Sequence, residues 1–105
     1  MTPVRLSAQL PPGALLQSAQ RTVVRIVWTC LDNVDGHARA NRAWVDVRPA
    51  GTELGVSVGD DGHGGAWMGP SLQLLADRVG ALGGRFHIES APDRGTVVTA
   101  RLPCE

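Results

Sequence analysis

The residues best placed to do chemistry lie in one short run, Val56-Ser-Val-Gly-Asp60-Asp-Gly-His-Gly-Gly65. Apolar residues alternate along it and then give way to a carboxylate and closely spaced glycines. Ionised Asp60 is acceptor-only, so it suits a ligand edge rich in N–H donors, such as an adenine amino group. Gly62 and Gly64 lack a Cβ, accept φ > 0 and leave room for a flat ring or a phosphate. A glycine-rich hairpin turn would explain the same run without any ligand. The decision between the two rests on the elements that flank it.

Those elements belong to a small chain. Its 105 residues fit one domain with a modest core, residues 1–13 forming an entry segment. Hydrophobic residues make up 43%, charged residues 19%, and mean hydropathy is −0.03, which marks the chain as globular. Ten basic residues balance ten acidic ones. That balance argues against an electrostatic grip on nucleic acid or on acidic lipid, and aromatic residues at 4% argue against a base-stacking platform. Cys30 and Cys104 make neither a disulfide framework nor a metal set and read as cytosolic thiols. No apolar run approaches membrane-spanning length and no signal-peptide pattern opens the chain, so no membrane contact is expected and a cytoplasmic location is.

Val4-Arg-Leu6-Ser-Ala8-Gln-Leu10 alternates as an edge strand would. From Ala14 the period becomes helical: Val23, Val27, Leu31 and Val34 recur on one stripe, with Val24, Ile26 and Cys30 widening it, until Gly36. Ala43-Trp-Val-Asp-Val47 and Glu53-Leu-Gly-Val-Ser-Val58 read as strands joined by the loop Arg48-Pro-Ala-Gly-Thr52. A second helix is expected from Ser71, as its N-cap, to Leu82, closed by Gly83-Gly84. Arg85-Phe-His-Ile-Glu-Ser90 and Thr96-Val-Val-Thr-Ala-Arg-Leu102 give two further strands. Helix, hairpin, helix, hairpin predicts an α/β (α+β) two-layer sandwich: a largely antiparallel or mixed sheet with helices on one face.

Five short runs then fall in a telling order: Thr29-Cys-Leu-Asp-Asn33-Val-Asp-Gly-His37-Ala38, Asp60-Asp-Gly-His-Gly64, Gly69-Pro-Ser-Leu72, Arg78-Val-Gly-Ala-Leu-Gly-Gly84 and Pro92-Asp-Arg-Gly-Thr96. Together they resemble the ATP-binding catalytic domain of two-component sensor histidine kinases, the Bergerat-fold superfamily shared with gyrase B and MutL. Within it they are most similar to the nitrate-sensor and DesK-like subfamily. The resemblance covers residues from about Pro11 to Pro103. It implies ATP and Mg²⁺ as cofactors. It also implies two protein partners, a histidine-bearing dimerisation domain that receives the γ-phosphoryl group and a response regulator.

The resemblance also assigns roles. Asn33 would ligate Mg²⁺ through its side-chain oxygen, an oxygen donor of the type the ion prefers. Asp60 would receive the adenine amino group, with the Thr96 hydroxyl supporting that contact through water. Gly62 and Gly64 would line the adenine and ribose wall. His37, one helical turn beyond Asn33, would reach toward phosphate, and Gly69, Ser71 and Leu72 would form the end of the nucleotide lid. Three departures gather at the phosphate end. Thr29 stands where the family carries a catalytic Glu, and a hydroxyl is no base near neutral pH. Gly36 replaces a frequent cation, and Pro70 removes a backbone N–H from the lid end. Weakened catalysis is therefore expected. Two other readings share these residues: an anti-sigma serine kinase of the same superfamily, and a degenerate, nucleotide-free protein-interaction module.

Overall fold

The computed structural model describes residues 4–9, 17–33, 42–62, 70–90 and 95–103. In chain order these form β1 (Val4–Ala8), α1 (Gln17–Asn33), β2 (Ala43–Ala50), β3 (Glu53–Asp60), α2 (Pro70–Ala81), β4 (Arg85–Ser90) and β5 (Thr96–Pro103). The strands make one sheet in the order β1-β2-β3-β5-β4. β1 runs parallel to β2, and the remaining neighbours are antiparallel. This is the mixed α+β sandwich that the element order predicts.

Period-two alternation sends one set of side chains toward the helices. Across the sheet they line up in rungs: Val45, Val58, Val98 and Ile88 in one, and Val47, Val56, Ala100 and Phe86 in the next. Ile26 and Cys30 of α1 and Leu72, Leu75 and Val79 of α2 close over them to complete the core. Each fully buried aliphatic side chain of this kind contributes about 1.5–3 kcal/mol. The opposite face is solvated. There the Trp44 ring covers Gly59, its cross-strand partner, so closely that a Cβ at position 59 would fall inside the indole.

Several local expectations are corrected. Arg48, Pro49 and Ala50 belong to β2, and the connection shrinks to Gly51 and Thr52, with Gly51 at φ 67°. Pro49 is tolerated because alternation turns its nitrogen to the side where Val47 accepts the Gln9 N–H, and β1 has ended before it reaches Pro49. Val24 is 54% exposed and does not join the core stripe of α1; that stripe is narrower, with Thr22 buried in it. Val34, expected on the same stripe, lies outside the described residues. Ser71 is not the N-cap of α2, since the helix already begins at Pro70. Proline suits a first helical position because its fixed φ fits and that N–H has no intrahelical acceptor.

At its far end α2 stops as the glycine pair predicts. The Gly84 N–H donates to the Val79 carbonyl at 2.9 Å, and Gly83 takes φ 78° between them. Among the described residues no helix is long and apolar enough to cross a membrane.

Candidate functional site

One rung differs from those below it. Ala43, Asp60, Thr96 and Ser90 are successive partners across β2, β3, β5 and β4, at the end of the sheet where β3 stops. Leu54, Val56 and Val58 precede Asp60 on the helix-facing side of β3. Strand alternation therefore puts a carboxylate where the next apolar side chain would go, and Asp60 is only 5% exposed. Burial pushes its pKa above the ordinary carboxylate value of 3.8, and the adjacent Asp61 charge adds to that push. The Gly62 N–H opposes it by donating to Asp60 Oδ1 at 2.8 Å. A carboxylate accepting the backbone N–H two residues on is an Asx turn, and it fixes the exit from β3.

The two adjacent aspartates divide the work. Asp61 is exposed and turns back to the residue just before β2, where its Oδ1 accepts the Arg42 N–H at 2.8 Å. Its own N–H donates to the Arg42 carbonyl at 3.2 Å. Asp61 thus clamps the sheet end, and Asp60 is the carboxylate on the helix-facing side. On the other flank Gly95, at φ 81°, packs against the Asp60 backbone carbonyl so closely that any Cβ would collide with it. Ser90 and Thr96 hydroxyls lie 2.9 Å apart, and Ser90 Oγ also donates to the Gly95 carbonyl at 3.3 Å. The result is a small polar platform, two hydroxyls and a buried carboxylate, on an otherwise apolar sheet face.

Of the residues singled out in the sequence, Asp60, Gly62 and Thr96 come together on this platform. Gly62 is buried, and among the described residues Gly51, Gly83 and Gly95 take up the left-handed region. Thr29 is half-buried on α1, one turn before Asn33, the last described residue of that helix. Leu72 is 6% exposed and packs in the core with Leu75 and Val79. Ser71 lies in the first turn of α2. His37, Gly64, Gly69 and Gly36 lie outside the described residues. Among the described residues no three His, Cys, Asp or Glu side chains cluster as a metal site. Cys30 takes no part: burial pushes its thiol pKa up to about 12, which leaves it unreactive.

Sequence reasoning missed Ser90 and gave Gly95 no role of its own. Both matter through the pairing of β4 with β5, and a polar residue ending one strand with glycine opening the next was the available signal.

This fold is that of histidine kinase domains. The chain superposes on the histidine kinase domain of the blue-light activated histidine kinase from Erythrobacter litoralis with a TM-score of 0.73 and 22% identity, covering 96% of this chain and 52% of that one. It superposes on the Acinetobacter baumannii histidine kinase AdeS with a TM-score of 0.79 and 14% identity, covering 99% of this chain and 55% of that one. In sequence it is 31% identical, over 97% of its own length, to an uncharacterized sensor-like histidine kinase of Chloroflexus aurantiacus. The chain spans 17% of that relative. No family model matches the chain. The likeness in fold is thus to histidine kinase domains, and the likeness in sequence is to one stretch of a sensor-like histidine kinase.

Proposed function

We propose that this chain is the ATP-binding catalytic domain of a cytoplasmic two-component sensor histidine kinase, of the nitrate-sensor and DesK-like kind. It would present ATP to a histidine on a separate dimerisation domain, and the phosphoryl group would pass on to a response regulator. The observation that carries this reading is Asp60: a buried carboxylate in an apolar register, held by the Gly62 N–H and flanked by Thr96. An acidic side chain costs stability in such a place unless a ligand uses it. The adenine amino group is a fitting donor for it. Asn33 would hold Mg²⁺, which when bound neutralises the phosphate charge.

Catalysis is weakened in this reading. Phosphoryl transfer relies on positioning and on electrostatic stabilisation. Thr29 supplies no carboxylate and Gly36 no cation. Pro70 is the first residue of α2 and lacks the N–H that a helix start ordinarily offers to a phosphate. The adenine end therefore keeps its groups while the phosphate end has lost several.

Calorimetric titration of this chain with ATP and Mg²⁺ tests the proposal. Saturable binding that Asp60→Asn weakens is the expected result. Absence of binding by the folded chain would instead favour a nucleotide-free interaction module.

A further inference from the structure

Ser90 touches Thr96 and lies one strand farther from Asp60 along the same rung. The two hydroxyl oxygens are 2.9 Å apart, and either could donate. A second contact decides between them. Ser90 Oγ is 3.3 Å from the Gly95 carbonyl oxygen, and a carbonyl can only accept. A serine hydroxyl has one proton. Committed to Gly95, it leaves Ser90 Oγ as an acceptor toward Thr96. Thr96 then donates its proton to Ser90, and its own hydroxyl lone pairs are left as acceptors.

We propose that Ser90 is a positioning residue for the base-binding end of the site: it holds the Thr96 hydroxyl as an acceptor, so that Thr96 and Asp60 present acceptors side by side to a donor-bearing ligand edge. The assignment rests on the nucleotide reading above and adds to it a group that never touches the ligand. Neighbouring acceptors match an exocyclic amino group, or a water that such a group orients, because these supply N–H or O–H donors. Without Ser90 the Thr96 proton can swing toward the ligand and set donor against donor. Gly95 joins the device twice, since its carbonyl anchors the Ser90 proton and its lack of a Cβ lets β5 close on the Asp60 backbone.

The test is a double-mutant cycle read as ATP affinity by calorimetry, with thermal melts for every variant. Ser90→Ala is expected to weaken ATP binding about 3- to 10-fold, the range of one net hydrogen bond. In a Thr96→Val background, which has no hydroxyl to orient, Ser90→Ala should change nothing further. Ser90→Thr should restore affinity, while Ser90→Cys, similar in size but a weak hydrogen-bonding partner, should behave as the alanine. Purine riboside triphosphate, which lacks the amino group, should bind the native chain and Ser90→Ala alike. Equal losses from Ser90→Ala with and without the Thr96→Val change would overturn the assignment and leave ATP binding itself standing. Failure of the native chain to bind ATP would overturn both.

Discussion

Asp60 and Gly62 are joined by a 2.8 Å hydrogen bond in which the glycine N–H donates to the aspartate Oδ1. The bond pins the carboxylate on the helix-facing side of β3, directly after three core aliphatics, Leu54, Val56 and Val58. An amide in its place could still accept from Gly62 through its oxygen, so Asp60→Asn should fold. It would also present an N–H₂ group where the ligand needs an acceptor. Leaving such a bond unmade costs about 1–3 kcal/mol, and ATP or ADP affinity should fall roughly tenfold or more. Native-like affinity in calorimetry would remove Asp60 from the site.

The same substitution should have the opposite effect on the unliganded fold. Burial raises the Asp60 pKa above its ordinary 3.8, so the folded chain binds this proton more tightly than the unfolded chain does. The stabilisation that the neutral form contributes is complete below the ordinary value and is lost as pH rises through the raised one. Above the raised value the native chain carries a buried charge that the asparagine variant does not. Asp60→Asn should melt higher than the native chain at about pH 7, and the gap should close toward about pH 4, near the ordinary value. A gap that stays constant or widens on acidification would contradict the assigned shift.

Two glycines in the left-handed region offer a controlled comparison. Gly51, at φ 67°, has open space around its missing side chain, so Gly51→Ala should cost only the conformational term of about 1–2 kcal/mol. Gly95, at φ 81°, abuts the Asp60 carbonyl, and Gly95→Ala must also push β5 away from the end of β3. Urea unfolding should show the larger loss for Gly95→Ala. Calorimetry should show weaker ATP binding for that variant alone. Matching effects of the two substitutions would mean that the contact between Gly95 and Asp60 is unimportant.

Much of this was legible in the sequence because strand alternation is a local property. Val56, Val58 and Asp60 occur at every second position, which by itself puts Asp60 on the core side, and Val79 with Gly83 and Gly84 announces both the second helix and its stop. Other features depend on neighbours that a linear reading does not supply. Pro49 looked like a loop residue; it is tolerated in β2 because β1 ends before reaching it. Val24 looked like core, yet it sits on the side of α1 that nothing among the core residues covers, with Trp28 one turn on and also exposed. Proline and serine at 70 and 71 both favour helix starts, and only the helix boundary shows that proline takes the first turn. The approach of Ser90 to Thr96 depends on the register of β4 against β5, and no spacing in the chain encodes that register directly.

Thr29 tests whether the missing carboxylate limits chemistry. It is half-buried on α1, one turn before Asn33, so a longer acidic side chain there would start from the helix that also carries the proposed Mg²⁺ ligand. With the histidine-bearing partner supplied, Thr29→Glu should raise phosphoryl transfer, near the low end of the ~10²–10⁴-fold that a well-placed general base contributes. Gly36 and Pro70 would still hold the rate below that of an intact site. Unchanged transfer with ATP bound and the partner docked would place the limitation elsewhere.

The balance between the two ends of the nucleotide gives the sharpest test of weakened catalysis. In the proposed site Asp60, Gly62 and Thr96 would form the base-binding end, whereas Pro70 opens α2 without an N–H and position 36 offers no cation. Charge-assisted hydrogen bonds to a γ-phosphate are worth roughly 1.5–3 kcal/mol each. A site that has lost such donors should gain little from the third phosphate, so ADP and ATP should bind with similar affinity. Mg²⁺ should help only modestly, through Asn33, and Asn33→Ala should remove that increment. Calorimetry of both nucleotides, with and without Mg²⁺, reads all three quantities. A strong preference for ATP that Asn33→Ala abolishes would mean that the phosphate end works despite Gly36 and Pro70, because one oxygen ligand and the bound cation would then suffice to hold the γ-phosphate.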